Sequence, residues 1–255
     1  MPDTGARRGA SAPLPPIKGF LETSFIDWPG YISAVIFLPG CNFRCPYCHN
    51  FTLVSDPDSY QTLELDYVLS RLRPFVGWID GVVVSGGEPT LHPGLPRLLE
   101  MIKAEGFALK LDTNGSRPQV LRRLVEGGLV DMVAMDLKAP LDEFAYGRAA
   151  GGAVDLEAVR SSLEYLKACG IAHEFRSTIW PDWHGPRELR AMARELAGAR
   201  RWTLQALNPE TAWNPQALGD GKPYLGEELA RLQVDLADRV GEEEQMPAAA
   251  AAGRG

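Results

Sequence analysis

Three of the four cysteines in this 255-residue chain crowd into one short stretch, Gly40-Cys41-Asn42-Phe43-Arg44-Cys45-Pro46-Tyr47-Cys48-His49-Asn50. The fourth, Cys169, stands alone and reads as a small core residue. Gaps of three and then two residues keep Cys41, Cys45 and Cys48 on one tight loop that can wrap a cubane. Three thiolates can ligate three irons of a [4Fe–4S] cluster and leave the fourth open to an outside ligand. A structural zinc site needs four closed ligands. His49 directly follows Cys48 and is poorly placed to share its metal, and no second cysteine pair exists.

Further polar motifs each follow an apolar run. In Ser85-Gly86-Gly87-Glu88-Pro89-Thr90 the two glycines let backbone approach a ligand closely and offer bare N–H and C=O groups. Leu111-Asp112-Thr113-Asn114-Gly115 and Met135-Asp136-Leu137-Lys138 put a carboxylate at the end of two other runs. Burying a carboxylate is costly unless it binds something. Asp112 and Asp136 could grip ribose hydroxyls or a cation, and Lys138 could neutralise a carboxylate. The plainer alternatives are a helix cap for Asp112 and an internal Asp136–Lys138 ion pair. Arg176 wants a partner on a mostly buried strand, either Glu174 or a ligand carboxylate. Gln205 and Asn208 are candidates for the substrate side of a cavity, while His92, His173 and His184 read as structural or surface histidines.

These motifs need a frame. Residues 33–38, 81–85, 107–112, 131–136, 172–179 and 201–207 are strand candidates, and most are nearly continuous apolar runs, as in parallel strands covered on both faces. Residues 65–75, 95–105, 119–126, 156–168, 186–197 and 227–240 carry apolar positions three and four apart, so helices are expected there. Six strand–helix repeats predict an α/β fold, a parallel sheet curved into a partial (β/α)6 TIM-like barrel. In such folds chemistry gathers at the C-terminal ends of the strands, where the polar motifs lie. Residues 1–16 are expected to form a flexible leader, 17–240 one domain, and 241–255 a disordered tail.

Cys-x3-Cys-x2-Cys resembles the radical S-adenosylmethionine (SAM) superfamily. That likeness implies a SAM whose amino and carboxylate groups chelate the open iron. It further implies Tyr47 at the adenine, Gly86, Gly87 and Glu88 at the methionyl amine, and Asp136 and Lys138 at the ribose and carboxylate. His49, Thr113, Asn114, Leu137 and Arg176 join these as cofactor-binding candidates. Asp112, Thr113 and Asp136 match positions that bind a monovalent cation in some glycyl-radical activators. The Cys-His-Asn ending is typical of glycyl radical enzyme activating proteins. Residues 24–30 (SFIDWPG), 111–115, 133–140 (VAMDLKAP) and 174–178 look like the activators of anaerobic ribonucleoside-triphosphate reductase. The resemblance spans residues 17–209 and implies a glycyl radical enzyme as partner and an electron donor such as flavodoxin or ferredoxin.

Two other readings compete: a radical SAM enzyme acting on a small molecule, as in the deazaguanine synthases, and a non-catalytic zinc-stabilised interaction module. A formal charge of −7 argues against nucleic acid as partner. No apolar run approaches the roughly 20 residues of a membrane span, and the first 16 residues lack a signal-type apolar region. A cytoplasmic protein with reduced thiols is therefore expected.

Overall fold

The computed structural model describes residues 12–240 and contains the six expected parallel strands plus one more. The strands are β1 (Gly19–Ser24), β2 (Ser33–Leu38), β3 (Gly81–Gly86), β4 (Ala108–Thr113), β5 (Met132–Asp136), β6 (Ala172–Ile179) and β7 (Trp202–Ala206). They pair in sequence order; β1 is antiparallel to β2, and every later pair is parallel. The edges β1 and β7 do not pair with each other, so the barrel is partial. β1 escapes the sequence pattern because GFLETS is half exposed, polar in its second half and broken by a register shift between Leu21 and Ser24.

Eight α-helices are described: α1 (Phe51–Ser55), α2 (Leu65–Leu72), α3 (Leu95–Ala104), α4 (Pro118–Glu126), α5 (Glu143–Ala150), α6 (Leu156–Ala168), α7 (Pro186–Glu195) and α8 (Gly226–Val240). Six match expected helices; of the two additions, α1 is little more than one turn and α5 (EFAYGRAA) lacks a clear apolar stripe. Asp142 starts α5 by accepting from Ala145 N–H at 2.9 Å, and Asp155 starts α6 by accepting from Ala158 N–H at 3.0 Å.

The period of two along each strand sorts side chains between two environments. Ala34, Ile36, Leu38, Val82, Val84, Leu109, Leu111, Val133 and Met135 join the large core under the helices. Alternating with them, Val35, Val83 and Met132 pack with Trp28 in a separate cluster inside the curved sheet. Residues 12–16 run up to β1. Pro15 is buried, and the Pro13 carbonyl lies 1.9 Å from where a Cβ on Gly94 would stand. Residues 1–11 and the expected tail lie outside the described residues. Among the described residues no helix is long and apolar enough to cross a membrane.

Candidate functional site

The cysteine loop leaves the end of β2 and turns back at once. Gly40 N–H donates to Leu53 O at 2.9 Å, Cys48 N–H to Cys45 O at 3.0 Å, and Arg44 N–H to Ala150 O at 2.8 Å. All three cysteines are free; Cys45 is buried, Cys41 and Cys48 half-buried. Cys41 Sγ accepts from Phe43 N–H at 3.3 Å and faces Asn114 Nδ2 at 3.7 Å. Burial pushes all three thiols above their ordinary pKa, and Lys138 pulls the other way. Buried thiols of this kind give up their protons on binding metal. The three cysteines line one cavity of about 210 Å³, so the donor set fits an iron–sulfur cluster with one cysteine per iron.

The glycines after β3 serve this loop directly. Gly87 N–H donates to Leu38 O and Glu88 N–H to Gly40 O, each at 2.8 Å. Gly86 has φ +116°, and a Cβ there would meet Leu38 O at 2.3 Å; one on Gly87 would meet Gly40 O at 1.9 Å. Only glycine lets the two loops approach so closely. Glu88 is fully buried as a clamp. It accepts from Thr90 N–H at 3.1 Å, Thr113 Oγ1–H at 2.8 Å and Asn114 N–H at 2.7 Å, and also from the Thr90 hydroxyl. Burial raises its pKa against the pull of those donors.

Charges alternate across the barrel interior. Lys110, fully buried on β4, donates to Asp27 O at 2.7 Å and to Asp112 Oδ1 at 2.9 Å, and lies 3.5 Å from Glu174. Arg176 joins Asp112 and Asp136, each at 3.1 Å, and Asp136 reaches Lys138 at 3.4 Å. Burial opposes ionisation of Asp136, but Lys138 and Arg176 outweigh it and hold its pKa below the ordinary value. Burial likewise opposes the charges of Lys138 and Arg176, yet both pKa values are raised, Lys138 by Cys45, Tyr47 and Asp136 around it and Arg176 by Asp112 and Asp136. A chain of this kind is stable only while every member keeps its partner.

The cavity gathers Cys41, Cys45, Cys48, Tyr47, His49, Gly86, Gly87, Asp112, Thr113, Asn114, Asp136, Lys138 and Arg176. Glu88 and Leu137 do not line it. Glu88 is spent on its clamp, and Leu137 is turned into the core while its N–H donates to Arg176 O at 2.9 Å. Gln205 and Asn208 also stay outside; the Asn208 side chain accepts from Glu210 N–H at 3.0 Å. Asp112 caps no helix, since α4 begins at Pro118. Glu174 pairs with Lys110 rather than Arg176. The positions matched to a monovalent cation already hold positive charge: Lys110 and Arg176 flank Asp112, and Arg176 and Lys138 flank Asp136. Sequence reasoning missed Lys110, although Lys-x-Asp on a strand is a same-face pair. It also missed Ser85, which donates to Asp112 at 3.2 Å, and Phe51 and Thr178 on the cavity wall.

Residues 35–196 match the family model described as the Radical SAM superfamily. A Methanocaldococcus jannaschii protein named as a glycyl-radical enzyme activating enzyme is 30% identical over 235 residues, 88% of this chain and 94% of that one. The pyruvate formate-lyase-activating enzyme of Clostridium pasteurianum is 32% identical over 202 residues, 72% of this chain and 77% of its own. In fold, the chain resembles the structure of TYW1 with a lysine-pyruvate adduct bound, with a TM-score of 0.60 at 16% identity, covering 82% of this chain and 75% of that one. Three free thiols at the mouth of a partial barrel agree with these matches: the chain belongs to the radical SAM superfamily, among the glycyl-radical enzyme activating enzymes, and uses a [4Fe–4S] cluster and SAM.

Proposed function

We propose that this enzyme installs a glycyl radical on anaerobic ribonucleoside-triphosphate reductase, taking its electron from flavodoxin or ferredoxin in a reducing cytoplasm. The observation that carries the activase part is one cavity in which the three cysteines meet Tyr47 and the Asp136, Lys138 and Arg176 set. The choice of target rests on the likeness of residues 24–30, 111–115, 133–140 and 174–178 to that group of activators. Four free cysteines suit a reducing compartment.

When bound, the cluster would supply the one electron for reductive cleavage of SAM, and the cofactor would supply the hydrogen-abstracting chemistry directed at a glycine Cα of the partner. Cys41, Cys45 and Cys48 hold the cluster. Tyr47, buried and 6.0 Å below the Lys138 ammonium, offers a flat face for the adenine. Lys138 meets the methionyl carboxylate, and Asp136 the ribose hydroxyls. The Gly86–Gly87 backbone stands next to the loop where the methionyl amine would lie. The apolar cluster around Trp28 packs the inside of the sheet away from the cysteine loop and would help exclude water there.

The test is anaerobic reconstitution with iron and sulfide, then dithionite and SAM, with 5′-deoxyadenosine measured. Adding the reductase should yield a glycyl-radical electron paramagnetic resonance doublet on that partner. Formation of 5′-deoxyadenosine without the doublet would set the target aside; uptake of zinc alone would overturn the whole reading.

A further inference from the structure

The segment after β7 returns to the cluster loop. Trp213 Nε1–H donates to the Cys45 carbonyl at 2.7 Å, and Asn214 N–H donates to the Pro46 carbonyl at 3.1 Å. The indole also lies flat on Phe51, with ring centres 3.8 Å apart and planes 5° from parallel. Phe51 lines the cavity, and Cys45-Pro46-Tyr47 carries both a cluster ligand and the ring proposed for the adenine.

The Cys45 and Tyr47 side chains pack into the core, with the Tyr47 and Trp183 rings 6.1 Å apart, so what the returning segment adds is a hold on the backbone carbonyls. Pro46 has no N–H, and the loop's own contribution is the Cys48 N–H donated to the Cys45 carbonyl. The returning segment, by contrast, is well anchored. Its two short 3-10 turns, Pro209–Thr211 and Pro215–Leu218, each begin with proline. Trp180 Nε1–H donates to Leu218 O at 2.8 Å, and Tyr224 OH donates to His184 O at 2.8 Å. Trp213 itself is 41% exposed, so core filling does not account for a tryptophan there. A directed hydrogen bond and a stack onto a cavity wall do.

We infer that Trp213 is a positioning residue: it fixes the Cys45–Tyr47 stretch, and through it cluster retention and SAM affinity. The inference rests on the cluster-and-SAM reading of the same site. Its test compares Trp213→Phe and Trp213→Ala with the reconstituted parent, using Trp78→Phe, an exposed tryptophan elsewhere, as control. Phenylalanine keeps the stack and removes the N–H, a loss on the scale of one hydrogen bond, so SAM affinity should fall about fivefold to tenfold. Iron loss to a chelator should quicken in both variants, more in Trp213→Ala, while far-UV circular dichroism and the Trp78→Phe control stay at parent values.

Unchanged chelation kinetics and SAM affinity in both variants would overturn the inference. So would losses that merely track a falling far-UV signal, because the role would then be structural. If the parent takes up no iron, the underlying reading fails instead. A parent that binds four irons and cleaves SAM, beside indistinguishable variants, refutes only the role of Trp213.

Discussion

The inner face of the sheet changes character along β3, β4, β5 and β6. Toward the N-terminal ends it carries Val35, Val83, Ala108, Met132 and Ala172 around Trp28 and Tyr31. Two or four residues further on, the same face carries Ser85, Lys110, Asp112, Asp136, Glu174 and Arg176. One end is a dry plug and the other an alternating charge chain open to a cavity. The contrast shows why the polar groups are held so firmly. With apolar side chains below and helices outside, charges at the strand ends lose most of their solvent and must satisfy one another. The plug therefore serves stability and the upper end serves chemistry, and the two should separate under mutation.

Cys45→Ala gives the largest effect and touches only the upper end. It should reduce 5′-deoxyadenosine formation to background while leaving far-UV circular dichroism near that of the parent. A variant that still cleaves SAM at the parent rate would break the cluster assignment. Trp28→Ala attacks the plug. Trp28 is 2% exposed and stacked on Tyr31, with ring centres 4.6 Å apart, so truncation should cost about 3–5 kcal/mol in urea unfolding. Whatever fraction remains folded should bind iron and SAM as the parent does.

Asp112→Ala probes the boundary between the two regions. It leaves Lys110 with Glu174 and Arg176 with Asp136, so about 3 kcal/mol should be lost, near the lower end for a broken buried pair. SAM affinity should fall with it, a loss that Trp28→Ala does not share.

The smallest effect concerns His184, fully buried behind Lys138. Trp180 N–H donates to its Nδ1 at 3.0 Å, which leaves Nε2–H to donate to Lys138 O at 2.9 Å. Burial holds its pKa below the ordinary histidine value of 6.5, against the pull of its hydrogen bonds to the Lys138 and Trp180 backbone and of Glu188, with Arg148 adding to the shift. Below pH 6.5 the unfolded chain therefore takes up more protons than the folded one. Stability is complete above that pH and declines as pH falls toward the folded-state value. His184→Gln should flatten this slope without abolishing it, because burial lowers the pKa of His173 as well. Unfolding midpoints measured between pH 5 and 7 decide this, and an unchanged slope would remove His184 from the account.

How far the molecule could be read from its residues depends on distance along the chain. The cysteine loop was legible because its ligand spacing is set by connectivity within one turn-rich segment. The parallel strands were legible because a strand covered on both faces must be apolar almost throughout. Asp112, Asp136 and Lys138 were legible as strand-end residues, but their partners were not. Arg176 meets Asp112 rather than Glu174 because β4, β5 and β6 lie side by side in a particular register, which no local pattern specifies. β1 and α1 lacked enough repeats to stand out, and α5 lacked a clear apolar stripe. The hold of Trp213 on Cys45 spans 168 positions and joins two loops with no pattern in common. Ligand identity follows from short-range covalent spacing. The charge chain, the plug and the returning segment follow from which strands and loops the fold brings within hydrogen-bonding distance, and only packing the whole barrel settles that.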